Sequence, residues 1–167
     1  MDDGRVHKIM PYPTEAYYFR LGVINIGKSQ AKLCEAFIDE LQEFRDGKWN
    51  DVDYFQQVNL KWDSGKLENP YIDTNPSPIR RLVIIGHIYK HRPGLDVDDA
   101  NKFHLDYSYL IGGYQPRFLS PNRRYRFNIT IAAENAASKS QRFELYWSGV
   151  WKDDPEEMFK EINIKTL

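Results

Sequence analysis

Residues 31–49 read AKLCEAFIDELQEFRDGKW, and the fold class turns on how they are read. Leu33, Phe37, Leu41 and Phe44 recur at helical spacing, and Ser29 stands where an N-cap would. The same run fits an extended chain, and the residues at its end favour that reading. Asp46-Gly47 is the pair wanted by a two-residue type I′ turn, whose central residues both take positive φ. Such turns join strands rather than end helices, so the stretch is read as a strand entering a hairpin.

Working outward, the neighbouring segments share that character. In YYFRLGV, Tyr17, Phe19, Leu21 and Val23 alternate with Tyr18, Arg20 and Gly22, the period of a half-buried strand. Val58, Leu60 and Trp62 fall on one face of YFQQVNLKW, and RRLVIIGHIYK is a β-branched run suited to a central strand. Residues 63–78 and 90–101 are dense in turn formers and read as surface loops. In KFHLDYSYL, Phe103, Leu105, Tyr107 and Tyr109 share a face. Tyr125, Phe127, Ile129 and Ile131 do so next, and after a loop from Glu134 to Ser140 Phe143, Leu145 and Trp147 follow suit. Near the end, Asp154 as N-cap, Pro155 at the first helical position and Glu157 placed for a capping box predict a short helical turn before a last strand, INIKTL. About seven to nine strands with little helix indicate an all-β chain, an antiparallel β-sandwich. Residues 1–15 read as an extension or an added strand, and residues 16–167 as one domain.

Composition narrows the function classes. The 23 basic and 24 acidic residues nearly cancel and no like-charge block occurs, so no footprint for nucleic acid is expected. Cys34 is the one cysteine, which excludes an internal disulfide framework and a multi-thiolate zinc site. Within an apolar strand it reads as a buried, inert thiol. No run approaches the ~20 apolar residues of a membrane-spanning helix, so no membrane insertion is expected. Nor does MDDGRVHKIM have the form of a signal peptide, and the chain reads as cytoplasmic or as the soluble portion of a membrane-anchored protein.

Two stretches carry a resemblance. LSPNRRYRFNITIAAEN is similar to the Leu-x-Pro then Tyr pattern of immunoglobulin-like and fibronectin type III-like domains. The resemblance implies that Tyr125 ties down the preceding turn through its hydroxyl, with Leu119 and Pro121 shaping it. YYFRLGVINIGKSQAKLC resembles the opening of bacterial cell-adhesion-related (CARDB-like) domains at Val23, Asn25, Gly27 and Ala31. With AAENA and WSGVW, the chain also resembles an uncharacterised group of prokaryotic sandwich domains. An immunoglobulin-like fold is implied, and no catalytic residue.

Candidate chemistry is sparse. His87 and His91 lie four apart, and with Asp96 and Asp98 they are the residues from which a metal site could be drawn, as a metal-dependent hydrolase would require. The carboxylates in DVDDAN lack the glycine and later glutamate of an EF-hand loop. Ser148 in WSGVW lacks the G-x-S-x-G elbow. Trp49 and Trp151, at strand ends, are the binding candidates, with rings able to grip a partner or stack on sugar. The expectation is a non-enzymatic accessory or interaction module with a protein partner and no cofactor. A carbohydrate-binding module is the first rival and a metal-dependent hydrolase the second.

Overall fold

The computed structural model describes residues 7–9 (backbone alone), 15–63, 70–76, 80–90, 101–108 and 116–167 of the 167-residue chain. Among these, the strands run in chain order β1 (His7–Ile9), β2 (Ala16–Val23), β3 (Ala31–Arg45), β4 (Lys48–Asp51), β5 (Val58–Asn59), β6 (Lys61–Trp62), β7 (Ile72–Thr74), β8 (Arg81–Tyr89), β9 (Phe103–Leu105), β10 (Phe118–Leu119), β11 (Arg123–Ala133) and β12 (Ala136–Trp147). Helix α1 (Pro155–Glu161) and β13 (Ile162–Thr166) close the chain. Every pairing between strands is antiparallel. They make two sheets: β1-β2-β8-β9-β10, with β6 also on β8, and β13-β12-β11-β3-β4, with β5 and β7 also on β3. The strands outnumber the sequence-based expectation because several are only two or three residues long.

Residues 31–45 form one strand of 15 residues. At its end Asp46 and Gly47 take φ of 54° and 77°, the double positive φ of a type I′ turn, and Arg45 pairs with Lys48. Cys34, Ala36 and Ile38 alternate into the core. Opposite β11 the register then slips by one residue, with Asn128 facing Glu40 and Ile129 facing Ile38, so Leu41 and Glu43 continue the inward series. Leu33 and Phe44, part of the helical-spaced set, lie outside that series, and Leu33 is exposed.

The β11–β12 hairpin buries Tyr125, Phe127 and Ile129 together with Phe143, Leu145 and Trp147. Its loop is shorter than the sequence suggested. Only Glu134 and Asn135 lie between the strands, and the polar run Ser138–Ser140 is paired strand with exposed side chains, which its composition conceals. Residues 63–78 are likewise not loop throughout, since Ile72–Thr74 pairs with β3. The run Val58–Trp62 proves to be two strands in different sheets. Val58 and Asn59 pair with β3, Lys61 and Trp62 pair with β8, and Leu60 bridges to Tyr107 at the crossing.

Helix α1 starts where the sequence placed it. Asp154 Oδ1 accepts the Glu156 and Glu157 N–H groups at 2.9 and 3.0 Å, and Met158 is the helix's buried residue. Glu157, placed for a capping box, pairs with Lys160 instead.

One continuous core fills the space between the sheets. Tyr17, Val83, Phe103 and Leu105 enter from the first sheet, and Ile38, Phe127, Leu145 and Trp147 from the second. Each such side chain is worth about 1.5–3 kcal/mol when fully buried. Among the described residues no helix is long and apolar enough to cross a membrane.

Candidate functional site

Register lines up residues across the first sheet. His7 stands opposite Tyr18, Tyr18 opposite His87, His87 opposite His104, and His104 opposite Phe118. Directly opposed residues of antiparallel strands project to the same face, and here Tyr17, Phe19, Ile88, Phe103 and Leu105 occupy the core face. Tyr18, His87, His104 and Phe118 therefore form a rank on the outer face.

Their rings touch in sequence. Centroids are 5.2 Å apart for Tyr18 and His87, 4.9 Å for His87 and His104, and 4.7 Å for His104 and Phe118. Tyr89, two residues along β8, meets His87 at 4.4 Å and His104 at 5.2 Å. The ring planes are tilted by 39° between Tyr18 and His87 and by 32° between His87 and His104, and His104 meets Phe118 nearly edge to face at 80°. Burial, then the charges of Tyr89 and Asp106, push the Tyr18 phenol above its ordinary value. Burial, then Asp106, push up Tyr89 against the opposing Arg117.

His87 is the chemical centre of the rank. Its Nδ1 lies 2.7 Å from Asp106 Oδ2, and both residues are buried. A carboxylate only accepts, so this bond places the hydrogen on Nδ1 and leaves the lone pair of the neutral ring on Nε2. That Nε2 is buried without a hydrogen-bond partner. An orphaned buried acceptor costs about 1–3 kcal/mol. Lys61 Nζ stands 3.9 Å from the other Asp106 oxygen. The close approach of β9 that brings these groups together depends on Gly86, where a Cβ would meet the His104 carbonyl oxygen at 2.2 Å and the Phe103 ring at 2.4 Å.

The residues singled out from sequence are dispersed. His87 lies in this rank, whereas His91, Asp96 and Asp98 fall outside the described residues. Among the described residues no group of three or more His, Cys, Asp or Glu side chains is placed to hold a metal ion. Trp151 is half-buried, packs on Tyr17 at 4.7 Å and donates its indole N–H to Asp153 Oδ1. Trp49 packs against Phe44, with the Arg126 guanidinium 3.9 Å above its ring. Arg124 and Arg126 are held in turn by the buried Glu144. Tyr125 is buried, and its hydroxyl accepts the Ser120 backbone N–H at 3.0 Å.

Sequence reasoning passed over His104, Asp106 and Tyr89. A signal was present: His104 and Asp106 alternate with the apolar Phe103, Leu105 and Tyr107, which already assigns them to the outer face of a strand.

A second feature lies where the β2–β3 loop and the start of β3 meet β7. Ile26 is 94% exposed and Leu33 is 52% exposed, with Ile24 and Tyr71 also exposed. Leu33 has φ of 48°, a left-handed conformation costing about 1–2 kcal/mol for a residue with a side chain. It is fixed there by the Asp73 carboxylate accepting its N–H at 2.9 Å, while Asn135 Oδ1 accepts the Lys32 N–H at 2.9 Å. No protein-family model matches this chain, and no curated protein is significantly similar to it.

Proposed function

We propose that this chain is a non-enzymatic, immunoglobulin-like β-sandwich module that binds a protein partner through the β2–β3 loop and the start of β3. The observation carrying this reading is Leu33, an apolar side chain held toward solvent on strained backbone. The bond to Asp73 at the irregular β3–β7 pairing offsets part of that strain, and an apolar partner surface covering Leu33 and Ile26 would offset more. Trp49 and Trp151 support the scaffold, the first through its arginine stack and the second through Tyr17.

The test separates stability from binding. Leu33→Gly relieves the left-handed strain and is expected to stabilise the fold by about 0.5–1 kcal/mol in urea unfolding. A photoreactive residue at position 26 is expected to give one discrete polypeptide adduct in cells, and the same residue at Lys139 none. Failure of the adduct at 26, or an adduct unaffected by adding Leu33→Asp, removes the reading.

A further inference from the structure

We propose that the outer face of the second sheet docks an extended acidic segment of a partner protein, its carboxylates seated on Arg124 and Arg126. Tyr125, Phe127, Phe143 and Leu145 face the core, so Arg124 and Arg126 of β11, Glu144 of β12 and Lys165 of β13 lie on the opposite face. Register sets Arg126 against Glu144, and Glu144 against Lys165. Arg124 donates from Nε and Nη2 to Glu144 Oε1 at 3.0 and 2.7 Å, and Arg126 donates from the same two atoms to Oε2, both at 3.2 Å. Lys165 Nζ stands 3.5 Å from Oε1. Three cations thus gather on one buried carboxylate, which can match the charge of only one of them.

The two guanidinium groups are arranged to take a further carboxylate. Each commits its Nε and Nη2 to Glu144, and Nη1 of neither has an acceptor among the described residues. Aromatic rings steady both planes: Arg124 lies 5.0 Å from the Phe44 ring and 5.4 Å from the Trp49 ring, which Arg126 approaches to 3.9 Å. Side chains already fixed in this way lose little further freedom on binding. Arg124 and Lys165 keep 44% and 52% of their side chains exposed, so an incoming segment can reach them. Arg124 and Arg126 stand two residues apart on β11, about 6.6 Å, the repeat at which an extended segment presents side chains to one side, so carboxylates at every second residue match them. The rest of the face sets the limits of the occupant. Glu40 is bonded to Arg142 at 2.6 Å and Asp51 to the Gln42 amide at 2.9 Å, and these two carboxylates flank the arginines. They repel a continuous polyanion, which favours a short acidic polypeptide segment over a nucleic-acid backbone.

The experiment follows the fluorescence anisotropy of a labelled peptide of alternating glutamate and serine as the whole chain is added. Saturable binding is expected, weakening strongly between about 0.01 M and about 1 M salt as the screening length falls from about 30 Å to about 3 Å. A peptide with lysine in place of glutamate should not bind. Arg124→Lys keeps the charge and removes the planar fork, and Lys165→Ala removes a charge from an exposed side chain. Each should weaken the peptide several-fold while a cooperative urea transition is retained, and Lys139→Ala, on the exposed end of the β11–β12 hairpin, should leave binding unchanged. No saturable binding overturns the proposal, as does equal binding of the lysine peptide or full binding in both Arg124→Lys and Lys165→Ala. Tighter binding of single-stranded DNA than of the acidic peptide would overturn it in favour of nucleic acid. Leu33→Asp should bind the peptide as wild type does, so this surface and the β2–β3 loop fail separately.

Discussion

The Tyr125 hydroxyl accepts one backbone N–H, from Ser120, across a turn that precedes its own strand. Burial, then the Glu43 charge, push this phenol above its ordinary value, and the bond to Ser120 offsets part of that. Replacing Tyr125 by Phe removes the acceptor and strands the Ser120 N–H, so a loss of about 1–2 kcal/mol is expected, read as a lowered urea midpoint with unchanged slope. A midpoint equal to that of wild type would show that the turn holds itself. Tyr125 was legible because a Leu-x-Pro before a tyrosine is a local pattern. His87 was legible only as one histidine among several, because its meaning depends on Asp106, far along the chain and brought near by strand pairing. Periodicity tells which face a residue takes and leaves open which neighbour it meets.

Among the elements, β8 and β9 show what a single glycine decides. Gly86 opposes Leu105, and any Cβ there would run into the β9 backbone and the Phe103 ring. Backbone cannot yield as a flexible side chain can, so Gly86→Ala is expected to cost about 1–3 kcal/mol and to part β9 from β8. Amide exchange at Asp106, whose N–H bonds to the Ile85 carbonyl at 3.0 Å, should then quicken by more than that of β11. Equal acceleration throughout would indicate general loosening instead. The long strand β3 was legible from the Asp46-Gly47 turn despite its helical spacing, since the turn chemistry is local and strong. Short strands such as β7 and β10 were not, because three or two residues carry no period and are strands only by virtue of their partners.

At the scale of the whole molecule, the buried phenols set an alkaline limit. Burial pushes Tyr107 well above its ordinary value, against the opposing Arg117, and its hydroxyl donates to the Pro116 carbonyl. In the unfolded chain phenols ionise at about 10. A group whose folded value is raised contributes stability that is complete below the unfolded value and is lost as pH rises toward the folded one. The urea midpoint should therefore fall steeply above about pH 10, and Tyr107→Phe should flatten that fall, although raised Lys90 and Lys160, each paired with carboxylates, titrate in the same direction. An equally steep fall in Tyr107→Phe would assign the limit to the lysines and to the other raised phenols, Tyr17, Tyr18, Tyr89 and Tyr125. The two-sheet plan was readable from alternation and turns, whereas the passage of Val58–Trp62 from one sheet to the other was not, since both halves continue one inward series. That passage fixes the spacing of the chain in a way composition does not. One residue added between Val58 and Trp62 would leave Val58 in its layer and turn Trp62 outward, away from the Pro70 carbonyl that accepts its indole N–H at 3.0 Å. This short bridge is thus a gauge of length: its side chains can vary within apolar limits, but its number of residues cannot.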